Sequence, residues 1–144
     1  MQEQNYKNHA RMVTGFHYVL SGIILVTFVL SFINLYQEYQ SGEGIIAPLI
    51  LVLLTISVLL AAFFGRSFSL KAQDRAIRAE ENFRHYLLTG KPLDSSLKMK
   101  QIIALRFASD AELAAVTQKA VSENLGNKEI KQLIQNWKGD FHRV

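Results

Sequence analysis

The sequence contains no cysteine. Disulfides, thiolate metal sites and cysteine nucleophiles are therefore excluded, and the absence is silent about compartment. Two prolines and eight glycines in 144 residues are too few for a low-complexity chain. Charge is also scarce: Asp, Glu, Lys and Arg make up 19% of the residues, against about 25% in an average soluble domain. The shortage is local. No charged residue occurs in the 26 positions between Arg11 and Glu38, nor in the 22 between Glu43 and Arg66. From Arg66 onward, 14 basic residues are interspersed with 9 acidic ones. This distribution excludes a uniform soluble globule, a disordered tail protein and a nucleic-acid binder of the basic-arm type.

The charge-free stretches are of bilayer length. As helices, Phe16 to Tyr36 extends about 32 Å and Gly44 to Gly65 about 33 Å, and a hydrocarbon core is about 30 Å thick. In water, a helix apolar on all sides needs a large protein to bury it, and a chain this short cannot bury two. The first stretch is too long for a signal peptide, ends Asn34-Leu35-Tyr36-Gln37-Glu38 without a small-residue cleavage site, and is followed closely by the second. Lys7 and Arg11 precede the first stretch; Arg66, Lys71, Arg75 and Arg78 follow the second; the short connection holds two Glu and no base. The positive-inside rule then places both ends in the cytoplasm. Tyr18, Tyr36 and Tyr39 fall near the interfaces, where amphipathic rings are favoured. The expected layout is a cytoplasmic segment over 1–15, transmembrane helices over 16–36 and 44–65, an external loop over 37–43 and a cytoplasmic helical domain over 66–144. By charge these regions carry +1 before the spans, −2 in the loop and +5 in the tail.

The spans carry polar and small residues but no charge. His17, Ser21, Thr27, Ser31 and Asn34 fall within about 140° of one helix face. Ser57, Ala61 and Gly65 form a small-xxx-small row that permits close helix approach. Packing is favoured over transport for both rows, because ion and proton paths are usually marked by charged groups. A small oligomeric channel lined by the His17–Asn34 face is the alternative. His9 and His17 are eight residues apart, with Glu3 as the one nearby carboxylate before the span; this is not ligand spacing. His9, Arg11 and His17 are therefore read as interfacial polar groups. Pro48 reads as a first-turn start signal for the second helix.

Helical periodicity continues past Gly65. Phe68, Ala72, Ala76, Ala79, Phe83 and Tyr86 form one apolar stripe, and Leu70, Ile77 and Leu88 form a second on the opposite side. A surface helix ordinarily has one apolar face. Two faces predict a helix between the tail and something else (a second protomer, a partner or the bilayer surface) or one central to a four-helix cluster. Thr89-Gly90-Lys91-Pro92 should end it. Ser96 should cap a buried helix from Leu97 to about Phe107. Ser109 and Glu112 have capping-box spacing and should open a helix to about Asn124. Leu125-Gly126-Asn127 should separate it from a last helix, Lys128 to about Phe141, with Ile130, Leu133, Ile134, Trp137 and Phe141 as its apolar stripe. The fold class is thus all-α, a two-helix transmembrane hairpin followed by a cytoplasmic bundle of about four helices.

No catalytic constellation is visible. The capping box accounts for Asp110 and Glu112, and Arg106–Asp110 reads as an ion pair or cap. His85 and His142 have no triad partners at informative spacing, and no glycine-rich phosphate loop is present. An enzyme using His9, His17 or Asp110 at the membrane surface is a minor alternative, and no cofactor, metal or nucleic acid is expected.

The blocks Gln4-Asn5-Tyr6-Lys7-Asn8-His9-Ala10-Arg11 with Phe16-His17-Tyr18, Leu70-Lys71-Ala72-Gln73-Asp74-Arg75-Ala76-Ile77-Arg78, and Leu105-Arg106-Phe107-Ala108-Ser109-Asp110, with Ile130-Lys131, Trp137 and Arg143-Val144, together resemble a bacterial family of small two-span membrane proteins of unknown function. The resemblance covers essentially the whole chain. It implies a polar head, a two-span hairpin and a helical tail in a bacterial inner membrane, and it supplies no activity. The opening block is denser in Asn, Tyr, Lys, His and Arg than a topology signal needs, which predicts specific contacts, such as folding back on the tail. The expected function is a non-enzymatic, membrane-anchored interaction module: a homo-oligomer or an accessory subunit of a larger membrane complex, in contact with lipid. Its candidate interface residues are Ser31, Asn34, Ser57, Ala61, Gly65, Leu70, Ile77, Leu88 and Trp137.

Overall fold

The computed structural model describes residues 4–9 and 12–141. These residues are helical, without strands: a π-helical entry Gly15–Leu20, then α1 (Ser21–Ser41), α2 (Ile46–Thr89), α3 (Met99–Leu105), α4 (Asp110–Ser122) and α5 (Asn127–Leu133). Two stretches, Gly15–Ser41 and Ile46–Thr89, are long and apolar enough to cross a membrane. The chain divides into two compact units, Arg11–Ser69 and Met1–Ala10 with Leu70–Val144.

In the first unit, the Ser21 hydroxyl bonds the Phe16 carbonyl five residues back at 3.2 Å, in the widened turn of the π-helical entry. α1 persists beyond Tyr36 to Ser41, so much of the polar segment 37–43 is helical. It ends at Gly42, whose φ of 75° is a left-handed cap; the Gly42 N–H bonds the Glu38 carbonyl at 3.1 Å. Pro48 lies in the first turn of α2, where a missing N–H costs little. Ile24 and Ser31 of α1 and Pro48, Val52 and Thr55 of α2 are buried. Most other side chains of this unit are apolar and exposed.

The second unit has a core that includes Ile77, Leu105, Phe107, Leu113, Ile130 and Ile134. Several local details correct the sequence reading. Helix α3 is Met99–Leu105 rather than Leu97–Phe107, and Ser96 does not cap it. Ser96 instead donates its N–H to the Asp94 carboxylate at 2.8 Å, bracing a turn that precedes the helix. Lys98 is the N-cap, and its N–H is satisfied by the Gln101 side chain at 2.7 Å. Ser109 is the N-cap of α4, but the capping box is not made: the Ser109 hydroxyl is buried without a partner. The Glu112 carboxylate turns away and accepts the N–H groups of Gln135 and Asn136 at 3.2 and 2.9 Å. Those two N–H groups need an acceptor because the chain has left the helix. α5 stops at Leu133 rather than near Phe141, and Ile134 is extended. The following segment forms an isolated antiparallel bridge, Ala108 to Trp137.

Candidate functional site: the head–tail junction

The second half of α2 is inverted relative to an ordinary surface helix. Its tail-facing side buries Ile77 together with Glu81 and His85. Arg84 fastens that side to the turn between α3 and α4. It donates to Asp110 at 2.6 Å, to Glu81 at 3.0 Å and to the Ala108 carbonyl at 2.7 Å. The Asn82 side chain accepts the Leu93 N–H at 2.9 Å, and the His85 ring bonds the Lys91 carbonyl at 2.8 Å. These bonds tie down the loop that Gly90, with φ 71°, initiates. The opposite side exposes Phe83 at 62% and Tyr86 at 53%. The expected Arg106–Asp110 pair is replaced: Asp110 meets Arg84, and Arg106 meets Asp140 at 3.0 Å.

The N-terminal block forms a small self-braced turn. Asn5 N–H donates to the Asn8 side chain at 2.7 Å, and Lys7 N–H donates to the Asn5 side chain at 2.9 Å. This turn presents Gln4 and His9 to the tail. Gln4 pairs with the backbone of Asp140 in both senses: its Nε2 donates to the carbonyl at 3.2 Å, and its Oε1 accepts the N–H at 2.8 Å. His9 donates from Nδ1 to the Tyr6 carbonyl at 2.8 Å, which leaves Nε2 to accept from Lys131 Nζ at 3.0 Å. Its ring lies 5.7 Å from Phe107, edge-on, and 5.8 Å from Trp137. Phe107, fully buried, is the hub. Trp137 packs 5.0 Å from it, and Arg106 and Lys131 approach its ring at 4.7 and 5.5 Å, distances at which ring and cation attract. The bridge bonds Lys138 N–H to Phe107 O at 2.8 Å and Ser109 N–H to Asn136 O at 3.1 Å; they hold Trp137 against this hub.

A cavity of about 280 Å³ adjoins the junction, lined in part by Gln73, Ile77, Glu81, Arg106 and Asp140. Both signs of charge line it. No group of three or more His, Cys, Asp or Glu among the described residues is placed to hold a metal ion. The junction combines aromatic packing, cation–ring contacts and a two-point amide pair, all within the chain.

Over residues 1–144 the sequence matches DUF6526, a family of unknown function. The chain belongs to that family. No curated protein and no solved structure matches it.

The candidate residues fall in different places. His9 and Trp137 meet at the junction, and Ile77 lies in the core. Ser31 is buried and Asn34 half-buried, while Ser57, Ala61, Gly65, Leu70 and Leu88 are exposed. The hydroxyls of Thr27, Ser31 and Ser57 bond carbonyls of their own helices. His17 Nδ1 lies 3.0 Å from the Val13 carbonyl and 3.1 Å from the Val13 N–H, and the ring packs edge-on against Phe16. Arg11, Glu3, His142, Arg143 and Val144 lie outside the described residues. Gln4 and Lys131 stand in the blocks that carry the family resemblance but have no assigned role there, and Asp140 stands in none of them. The unusual density of the opening block was the one available signal.

Proposed function

We propose that the chain is a two-span protein of a bacterial cytoplasmic membrane, with both ends in the cytoplasm, acting as a non-enzymatic, membrane-anchored helical interaction module. It works as a homo-oligomer or as an accessory subunit of a larger membrane complex. The observation that carries this reading is the inverted second half of α2, which buries Glu81 and His85 while Phe83 and Tyr86 remain open. Each apolar side chain left in water forgoes roughly 1.5–3 kcal/mol of burial, so this face is suited to a protein partner.

Two further observations support the membrane part. The helices Gly15–Ser41 and Ile46–Thr89 have the necessary length and apolarity. In addition, the chain leaves the second unit after residue 10 and re-enters it at residue 70, and Gln4 bonds Asp140. A segment that leaves and returns to one compact unit crosses a bilayer an even number of times. Two spans meet that requirement, and the flanking Lys and Arg give the direction. Lysines and arginines on the tail would also favour the anionic leaflet.

Native mass spectrometry of the full chain, extracted in mild detergent through a C-terminal tag, tests the reading. The expected result is an oligomer or a stoichiometric co-purifying chain. A strict monomer with no companion overturns it.

A further inference from the structure

We propose that the open face of α2 pairs in parallel with the same face of a second copy of this chain, and that Arg75 of each copy salt-bridges Glu80 of the other. The proposal deepens the homo-oligomer reading above and rests on it.

Three features point to a second copy. First, Ala72, Ala76, Ala79, Phe83 and Tyr86 recur at alternating intervals of four and three residues. That is the seam spacing of a left-handed helix pair. All five are exposed; Ala72, Ala79, Phe83 and Tyr86 lie away from the side of α2 that packs on the tail, and Ala76 borders the cavity on its flank. The three alanines permit close backbone approach, and the two rings supply apolar area beyond them.

Second, the flanks are self-complementary. With the seam residues at the two core positions of the heptad, Arg75 lies on one flank and Glu80, five residues on, lies on the other. In a parallel pair this is the offset at which a flanking residue of one helix meets its counterpart on the next. A two-fold axis makes the contact twice, Arg75 to Glu80 and Glu80 to Arg75. Both residues are exposed, and neither takes part in an ion pair among the described residues; Glu80 also borders the cavity that Arg106 and Lys138 line, at the edge between the open face and the tail. Each copy carries both members of the contact, so a second copy supplies the complement of each.

Third, orientation agrees. Copies inserted in one membrane with the same topology present α2 in the same direction, so a parallel pair is the arrangement open to them.

The absence of cysteine makes the test direct. Single variants Ala72→Cys, Ala79→Cys and Tyr86→Cys are made in the full-length protein, with Arg78→Cys as an exposed position off the seam. Mild oxidation in native membranes should give disulfide-linked dimers from all three seam variants and little from the off-seam control. An antiparallel pair would link only near the middle of the seam, which would overturn the parallel arrangement. Equal linking at all four positions, or none, would overturn the seam itself.

Charge reversal is the second arm. Arg75→Glu and Glu80→Arg should each weaken the dimer about two- to ten-fold, and the double variant should restore it. Failure to restore would remove the Arg75–Glu80 contact. Native mass spectrometry of the same samples separates the levels. An oligomer without seam crosslinks retains the homo-oligomer reading and refutes this pairing; a monomer without companions refutes both.

Discussion

Arg84 is the side chain on which the attachment of α2 to the tail depends, and Arg84→Ala tests that attachment. Its guanidinium is 13% exposed, and its partner Glu81 is 9% exposed. Removing one member of a buried pair leaves the other charge uncompensated, at a cost of about 3–5 kcal/mol. The Ala108 carbonyl, in a fully buried residue, loses its Arg84 donor as well. The Asp110 contact adds little, because that side chain is 68% exposed and an exposed pair contributes only about 0–1 kcal/mol. These effects share one side chain and do not add, so the expected loss is about 3–5 kcal/mol. Domain stabilities run to about 5–15 kcal/mol, so this loss is a large fraction of what holds the unit together. Trp137 is the one tryptophan in the sequence and lies beside the bridge to Ala108, so its fluorescence reports unfolding of this unit. Denaturation of the full chain in detergent micelles supplies the number. Glu81→Leu combined with Arg84→Met should recover much of the loss, since apolar replacement of a whole buried pair is often neutral. A loss below about 1 kcal/mol for Arg84→Ala, or a double variant as unstable as the single, would refute the buried-pair account.

Ser109→Ala should be nearly neutral in the same assay, because the Ser109 hydroxyl has no partner; a cost near 1 kcal/mol would show a working side-chain cap. Glu112→Ala should cost about 1 kcal/mol and shift Trp137 emission, since the N–H groups of Gln135 and Asn136 lose their acceptor. Gln4→Ala should speed hydrogen exchange of the Asp140 amide without changing exchange in α4, because the amide pair with Gln4 is local. The Asp94 carboxyl is held below its ordinary value by hydrogen bonds from the Ser96 backbone and side chain. A depressed carboxylate stabilises its turn above the unfolded pKa and loses that contribution as pH falls through the folded value. The Ser96 amide shift should therefore titrate below the usual aspartate range, and Asp94→Asn should abolish that titration.

Much of the fold was legible because it follows from local chemistry. The two apolar stretches announce themselves by length, and Gly90 stops α2 where it was expected to, at a left-handed φ. The misplaced features share a cause. Ser109 and Glu112 have the spacing of a capping box, yet Glu112 goes to two backbone N–H groups 23 and 24 residues away. The apolar spacing from Ile130 to Phe141 reads as one helix, yet the strand-like bridge to Ala108 takes Trp137 out of it. A tertiary acceptor or ladder bond outcompeted a local motif each time, and spacing within one segment carries no record of the competitor. The junction was legible only as an expectation that the opening block would fold back. Its partners on the tail, Lys131 and Asp140, look like ordinary surface charges until the chain is folded.

The choice between the two stripes of α2 shows the limit most plainly. By apolarity alone, the stripe with Phe68, Phe83 and Tyr86 is the better candidate for the tail-facing side, since it offers more area to bury. The fold packs the other side, where Ile77 is the one fully committed apolar residue and Glu81, Arg84 and His85 supply the rest. Hydrophobic area does not decide this, because it is non-directional and either stripe would satisfy it. A directional group tips it: the carbonyl of the fully buried Ala108 needs a donor, and Arg84 is the α2 side chain that supplies one. A buried carbonyl without a donor costs about 1–3 kcal/mol, comparable to burying a phenylalanine ring. Once the polar side is committed inward, the aromatic side is left open, and an apolar face left open along a helix of this length is what a second helix fits.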